Sequence, residues 1–239
     1  MNPAEAWLPG AEAHRLETGR PLVTLSYAQS LDGCLTYRRG QPLALSGPQS
    51  QALTHRLRAA HTAILVGIGT VLADDPQLNV RLAEGPDPQP VILDSRLRFP
   101  PRARLLAPGR RTPWIATLES ANQERRVELE AAGARLLILP PDPQGRVALP
   151  ALLEYLARQG VNSLMVEGGA QVITGFLARR LANWAVLTIA PLFIGGLHAV
   201  ESGGEEPTSA VLSPAGFPRL RSPQSAQLGE DLIVWGRLA

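Results

Sequence analysis

AILVGIGTVLADDP, Ala63–Pro76, sets a short apolar run against a glycine-punctuated turn and then a helical stretch that stops at Asp75-Pro76. Ala63–Val66 is apolar without alternation, the pattern of a strand covered on both faces. Gly67 and Gly69 follow at once. Backbone without a Cβ can approach another surface closely there, and N–H groups opening a helix favour an anion. The spacing is not the dinucleotide fingerprint, because Leu72 stands where a third glycine belongs. An ordinary strand-to-helix turn and a ligand-binding turn both fit these residues.

The same unit recurs at Ser163–Val166, Glu167-Gly168-Gly169 and Ala170–Arg180: a strand, a turn headed by a carboxylate, and a helix. Ligands of open α/β sheets bind beyond the C-terminal strand ends, where Glu167 would sit. The alternative is a carboxylate that only favours the positive end of a helix dipole. Further strands are predicted at Leu22–Tyr27, Pro90–Leu93, Trp114–Thr117, Arg135–Leu139 and Trp184–Ala190. Helices are predicted from Ser46-Gly47-Pro48 to about Ala60, from a Ser120 cap to near Gly133, and from Pro150 to Gly160. Gln227–Trp235 reads as a hairpin around Gly229-Glu230. Gly85–Pro90 and Gly195–Ser209 read as surface loops. Alternating strands and helices predict an α/β fold: a mostly parallel central sheet flanked by helices, with a C-terminal antiparallel hairpin. Residues 1–19 are expected to be a flexible extension that packs loosely or not at all, and residues 20–239 a single domain.

Composition excludes several chemistries. The chain has 239 residues, 45% hydrophobic and 18% charged, which is globular usage and enough for a sizeable core. All 23 basic residues are arginine. No Schiff-base lysine or lysine phosphate clamp is therefore available, and any phosphate must be met by arginine, hydroxyls or backbone N–H groups. The arginines are scattered and the net charge is only +2, so no nucleic-acid partner is expected. No stretch is long and apolar enough to span a bilayer, so no membrane association is expected. The single cysteine, Cys34, excludes a zinc-deaminase ligand set and fits a reducing, cytoplasmic location. His14, His55, His61 and His198 lack ligand spacing, so no metal is expected. His55 and His61 read as packing or helix-surface residues. A third candidate segment, Ser26–Gly33, runs from a strand into an Asp32-Gly33 turn.

Taken in order, "SLDG", "LRAAHTAILVGIGTVLADDPQLNVR" (Leu57–Arg81), "VILDSRLR" (Val91–Arg98), "SLMVEGGAQVITGFL" (Ser163–Leu177) and "APLFIGG" (Ala190–Gly196) resemble the pyrimidine reductases of riboflavin biosynthesis. These include the C-terminal reductase domain of the bifunctional deaminase/reductase and the stand-alone diaminopyrimidinone reductases. The resemblance implies a dihydrofolate-reductase-like fold, a homodimer, and NADPH-dependent reduction of a ribosylamino group on a phosphorylated pyrimidine. It implies that NADPH is held by Gln29, Gly67, Thr70, Asp74, Ser95 and the turn Gly168-Gly169-Ala170-Gln171-Val172. Arg96 and Arg98, beside Ser95, could reach a 2′-phosphate. Substrate would be held by Arg58, Leu78, Arg81 and Glu167, the two arginines suiting its phosphate. Glu167 and Asp32 are the candidate catalytic residues.

Ser26 stands where many bifunctional bacterial members carry lysine, and Pro42 and Ala44 replace an S-x-W. "SYAQSLDG" looks more like the fungal-type enzymes, which act on the 2,5-diaminopyrimidinone rather than the deaminated 5-aminouracil. Both substrates stay open at this point. So do two rivals: a paralogous reductase of a pterin or other heterocycle, and a nucleotide-binding relative without turnover.

Overall fold

The computed structural model describes residues 3–201 and 217–239. Residues 202–209 of the loop expected at Gly195–Ser209 lie outside them. Eleven strands and six α-helices alternate along the described chain. The strands are β1 (Leu22–Ser30), β2 (Cys34–Thr36), β3 (Ala63–Gly67), β4 (Gln89–Leu93), β5 (Trp114–Leu118), β6 (Arg135–Leu139), β7 (Ser163–Val166), β8 (Trp184–Ala190), β9 (Leu197–His198), β10 (Leu220–Leu228) and β11 (Asp231–Leu238). The helices are α1 (Ala11–Thr18), α2 (Pro48–Ala60), α3 (Ile68–Asp74), α4 (Gln123–Ala131), α5 (Leu149–Arg158) and α6 (Ala170–Ala178).

Nine strands form one sheet in the order β10-β11-β8-β1-β7-β3-β4-β5-β6. All neighbours from β8 to β6 are parallel, and the β10–β11 hairpin adds an antiparallel edge. The predicted α/β class and C-terminal hairpin are both present. The unbroken apolar strands lie at the centre: every residue of β3 and β7 is buried. Leu152, Leu153 and Leu156 of α5 pack on one face of the sheet with Leu25, Leu65 and Leu164. On the other face, Ile64, Val66 and Ile92 meet Val71, Phe99 and Leu129.

Several boundaries differ from expectation for identifiable reasons. Asn122, not Ser120, caps α4: its side chain accepts the Arg125 N–H, which satisfies an otherwise orphaned donor. The hairpin is longer than Gln227–Trp235. Arg221–Ser225 is exposed and takes its strand conformation from pairing with β11 rather than from any alternation of its own. Cys34–Thr36, for which no strand was predicted, and Leu197–His198, within the loop expected at Gly195–Ser209, pair into a second small sheet. That pairing needs Gly196, because a Cβ there would overlap the Thr36 and Tyr37 backbone.

The N-terminal segment corrects the expected loose extension. Two 3-10 turns and α1 dock on the sheet, burying Ala4, Trp7 and Ala11. Trp7 stacks on Trp184 with ring centroids 4.2 Å apart and planes at 6°. Its indole N–H donates to Thr24 Oγ1 at 3.2 Å, so the buried polar edge is satisfied.

Candidate functional site

The strand order reverses at β7: β1 and β8 lie to one side of it, and β3, β4, β5 and β6 follow on the other. Such a switch point leaves a crevice beyond the C-terminal strand ends. A cleft of about 980 Å³ opens there. Ser26–Ala28 of β1, Glu167 after β7, Gly67 of β3 and Leu93–Ser95 at the end of β4 all line it.

Two turns that the sequence singled out adjoin each other at the ends of the paired strands β3 and β7, and both line this cleft. The glycines serve helix packing first. A Cβ on Gly67 would lie 2.9 Å from Val172 Cγ2, and one on Gly168 would lie 2.7 Å from Val172 Cβ. With hydrogen at both positions, α6 seats directly on the strand ends. The Thr70 hydroxyl lies opposite Gly169, whose position is the N-cap of α6. The first N–H groups of α6 and its positive dipole end therefore open on the cleft.

Glu167 is held by a buried cation. Arg58, from α2, grips it bidentately, Nε to Oε2 at 2.8 Å and Nη2 to Oε1 at 2.5 Å. The third side of the guanidinium donates to Asn79 C=O at 3.2 Å. Arg58 is nearly buried and does not line the cleft, so it stands behind Glu167 with its donors engaged. Asp74 also lines the cleft. Burial, and then the charge of Glu167, raise its carboxyl above the usual range. Burial likewise pushes the Tyr27 phenol, on the same wall, up to about 12.

Among the residues carried over from the resemblance, the cleft brings together Gly67, Thr70, Asp74, Ser95, Glu167, Gly168, Gly169, Ala170, Gln171 and Val172. Gln29, Asp32, Arg58, Leu78 and Arg81 are not part of its lining. Leu78 is buried in the core beside β3 and β4 at a φ of 48°. Arg81 is exposed; its backbone N–H donates to His55 Nδ1 at 3.1 Å. Asp32 accepts the N–H groups of Ile194, at 3.1 Å, and Gly195, at 2.6 Å, and the Ser30 hydroxyl. The Ser30 hydroxyl and these amides hold its carboxyl well below the usual range. It ties the β1 turn to the loop after β8. Ser26 and Pro42, where the chain departs from many bacterial relatives, both line the cleft.

The cleft also takes in residues that sequence reasoning missed. Asp142, Gln144, Arg146 and Arg179 close one end of it. Asp-Pro-Gln-Gly-Arg, Asp142–Arg146, reads as an ordinary turn, and nothing in it signals proximity to Ser95. Among the described residues, no His, Cys, Asp and Glu grouping could hold a metal ion. No helix there is long and apolar enough to cross a membrane.

Known proteins share this sequence and fold. The 2,5-diamino-6-ribosylamino-4(3H)-pyrimidinone 5′-phosphate reductase of Archaeoglobus fulgidus is 40% identical over 187 residues, covering 74% of this chain and 83% of that protein. The enzyme of the same name from Methanothermobacter thermautotrophicus is 38% identical, covering 90% and 97%. The riboflavin biosynthesis protein RibD of Bacillus amyloliquefaciens is 33% identical over 92% of this chain, which spans 58% of that longer protein. Acinetobacter baumannii RibD superposes with a TM-score of 0.79 at 27% identity, covering 99% of this chain and 62% of the other. The Saccharomyces cerevisiae riboflavin biosynthesis reductase gives 0.71 at 29%, covering 93% and 91%. A dihydrofolate reductase from Enterococcus faecalis, at 12% identity and a TM-score of 0.50, shares the fold alone, over 90% of this chain and 96% of its own. The model for the RibD C-terminal domain matches residues 21–234, and the chain belongs to that family.

Proposed function

We propose that this chain is an oxidoreductase of riboflavin biosynthesis that uses NADPH to reduce the ribosylamino group of a pyrimidine 5′-phosphate to the ribitylamino product. The observation that carries the reading is the Glu167 carboxylate, fixed by Arg58 at a strand end beside the Gly168-Gly169 turn, inside a cleft large enough for two ligands. Names of relatives support it, since the proteins 40% and 38% identical are pyrimidinone phosphate reductases. The same names favour the 2,5-diaminopyrimidinone over the deaminated uracil. These relatives match along 83% and 97% of their length, against 58% for the Bacillus RibD. A homodimer and a cytoplasmic location complete the proposal.

The residues present fit a dinucleotide. The α6 N-terminus offers backbone donors for a pyrophosphate, and the packed glycines leave that turn without side chains in the way. Bound NADPH would supply the hydride. The chain's own part is positioning. Glu167, held in place by the bidentate Arg58 contact, accepts hydrogen bonds from substrate amino or hydroxyl groups and orients the sugar carbon. Asp74, disfavoured as an anion, is the carboxyl suited to hold a proton on its Oδ. Misplacement of reacting atoms by a small distance costs on the order of a hundredfold in rate.

The test is NADPH oxidation followed at both pyrimidine phosphates, with Glu167→Gln alongside the wild type. Turnover of the diaminopyrimidinone, reduced about a hundredfold in the variant, is expected. A purely structural glutamate would leave turnover intact in the folded variant. Losing the partner of nearly buried Arg58 will also lower the variant's stability, so its activity is read well below its melting temperature.

A further inference from the structure

His55 is a buried titratable group that the proposed reaction does not use directly. It sits on α2, three residues before Arg58, so the two side chains leave the same side of the helix. Its Nδ1 accepts the backbone N–H of Arg81 at 3.1 Å, which places the ring's own proton on Nε2. Burial, and the charges of Arg58 and Arg81, lower its pKa to about 4, so Nδ1 keeps its lone pair at neutral pH. The charge of Glu167 also reaches the ring and opposes that fall. One imidazole therefore lies close to the carboxylate of the cleft, to the arginine that grips it, and to a second arginine on another segment.

That segment, Leu78–Arg81, belongs to no helix or strand. It opens with Leu78 at a φ of 48°, a conformation that is costly for any residue other than glycine and persists only where the surroundings fix it. Side chains hold its backbone at three successive residues. Arg58 Nη1 donates to the Asn79 C=O at 3.2 Å, Asp87 Oδ1 accepts the Val80 N–H at 2.7 Å, and His55 accepts the Arg81 N–H. A single guanidinium thus spans the gap from Glu167 to Asn79. The Arg81 side chain is exposed. Its Nη1 lies 3.4 Å from Asn79 Oδ1, and it makes no ion pair within 4.0 Å among the described residues. The backbone of the segment is fixed while its cation is left to meet a ligand.

We propose that His55 is a positioning residue for the substrate: by accepting the Arg81 N–H it fixes the point from which the Arg81 guanidinium reaches out, and so the span between Glu167 and the cation that meets the substrate's phosphate monoester. The assignment rests on the function proposed above. In that substrate one five-carbon sugar separates the reacting carbon from the 5′-phosphate, so the two ends must be met over a short, set distance. If the Arg81 backbone shifts, the phosphate loses its cation while Glu167, gripped by Arg58, stays where it is. His55 then governs how tightly the phosphorylated substrate is held and takes no part in the hydride step.

Steady-state kinetics at saturating NADPH test this with two amides, each of which keeps one end of the ring. In His55→Asn the side-chain oxygen takes the place of Nδ1 and can accept the Arg81 N–H. In His55→Gln the amide reaches the Nε2 end, and the Arg81 N–H loses its acceptor. For the pyrimidine phosphate, His55→Gln should raise KM about tenfold, equivalent to ~1.4 kcal/mol, with kcat near the wild-type value, and His55→Asn should recover most of that loss. Neither variant should change KM for the dephosphorylated pyrimidine. Arg81→Ala added to His55→Gln should cost little beyond Arg81→Ala alone, because groups that act through one another do not add. Equal loss on the phosphorylated and dephosphorylated pyrimidines, or full additivity in the double variant, overturns the proposal and leaves the reductase reading intact. So does a His55→Gln protein that melts earlier yet keeps the wild-type KM, as a merely structural histidine would. Wild-type protein that oxidises NADPH with neither pyrimidine phosphate sinks both readings.

Discussion

His61 is wholly buried, and its two ring nitrogens have fixed roles. Nδ1 meets the Leu57 carbonyl at 2.7 Å and so carries the proton. Nε2 then accepts from the Thr24 hydroxyl at 2.9 Å, and Thr24 Oγ1 in turn accepts the Trp7 indole N–H. A second proton on the ring would face Thr24, whose hydrogen would lose its acceptor. Burial lowers the His61 pKa from 6.5 to about 4. That of His55 is likewise lowered to about 4, by burial and by the charges of Arg58 and Arg81. The folded values lie below the unfolded ones, so the unfolded chain takes up protons first. The stability these groups contribute is complete above pH 6.5 and is lost as pH falls from there through 4. The urea midpoint should therefore drop between pH 7 and pH 4.5, and His61→Gln should flatten that dependence. An identical slope in the variant would show that His61 does not contribute.

At the scale of elements, the N-terminal segment closes the face of β1, β8 and β11 that α2 leaves uncovered. Trp7 joins Leu22, Leu53, Met165 and Trp235 in one buried cluster. Trp7→Ala should cost about 3–5 kcal/mol, as removal of a core aromatic does. Equilibrium urea denaturation measures it, and a cost below about 1 kcal/mol would mean that the segment merely rests on the sheet. A signal for this docking was present in the sequence. Ala4, Trp7 and Ala11 stand at i, i+3 and i+7, the stripe of a helical face. Three prolines and glycines in the same stretch, Pro3, Pro9 and Gly10, break the helix into short turns and mask the pattern.

For the molecule as a whole, the cleft is a consequence of topology. Placing β7 between β1 and β3 brings Ser26, Glu167 and Gly67 to adjoining strand ends. The resemblance to dimeric reductases gives an expectation at this scale. Leu31, Leu192 and Phe193, the last 78% exposed, lie on adjoining turns and offer apolar surface to bury. Light scattering coupled to size exclusion should return twice the 25.6 kDa chain mass. A species of single-chain mass at micromolar concentration would refute the dimer.

The amino-acid sequence by itself determined the parallel α/β class, both glycine turns and the placement of Glu167. These are local properties: unbroken apolar runs of strand length, glycines at the strand ends, and a proline in the first turn of α2 and α5. Ser163–Val166 and Trp184–Ala190 were legible to the residue for that reason. Only the tertiary structure decided which polar side chains serve one another. Arg58 and Glu167 are 109 positions apart, and no periodicity relates them. An arginine suited to a phosphate looks the same in sequence as one that holds a carboxylate, and burial among α2, β7 and the Asn79 carbonyl selects the second. Asp32, in an Asp-Gly turn, was a candidate catalytic residue on the resemblance. Its partners, the Ile194 and Gly195 amides, come from beyond β8, and the fold spends its carboxylate on joining two loops. Arg146 acquires its place beside Ser95 through a single hydrogen bond between loops 52 residues apart. Periodicity encodes which face of an element is buried; the partner across a cleft depends on strand order, and strand order is settled only when the whole sheet forms.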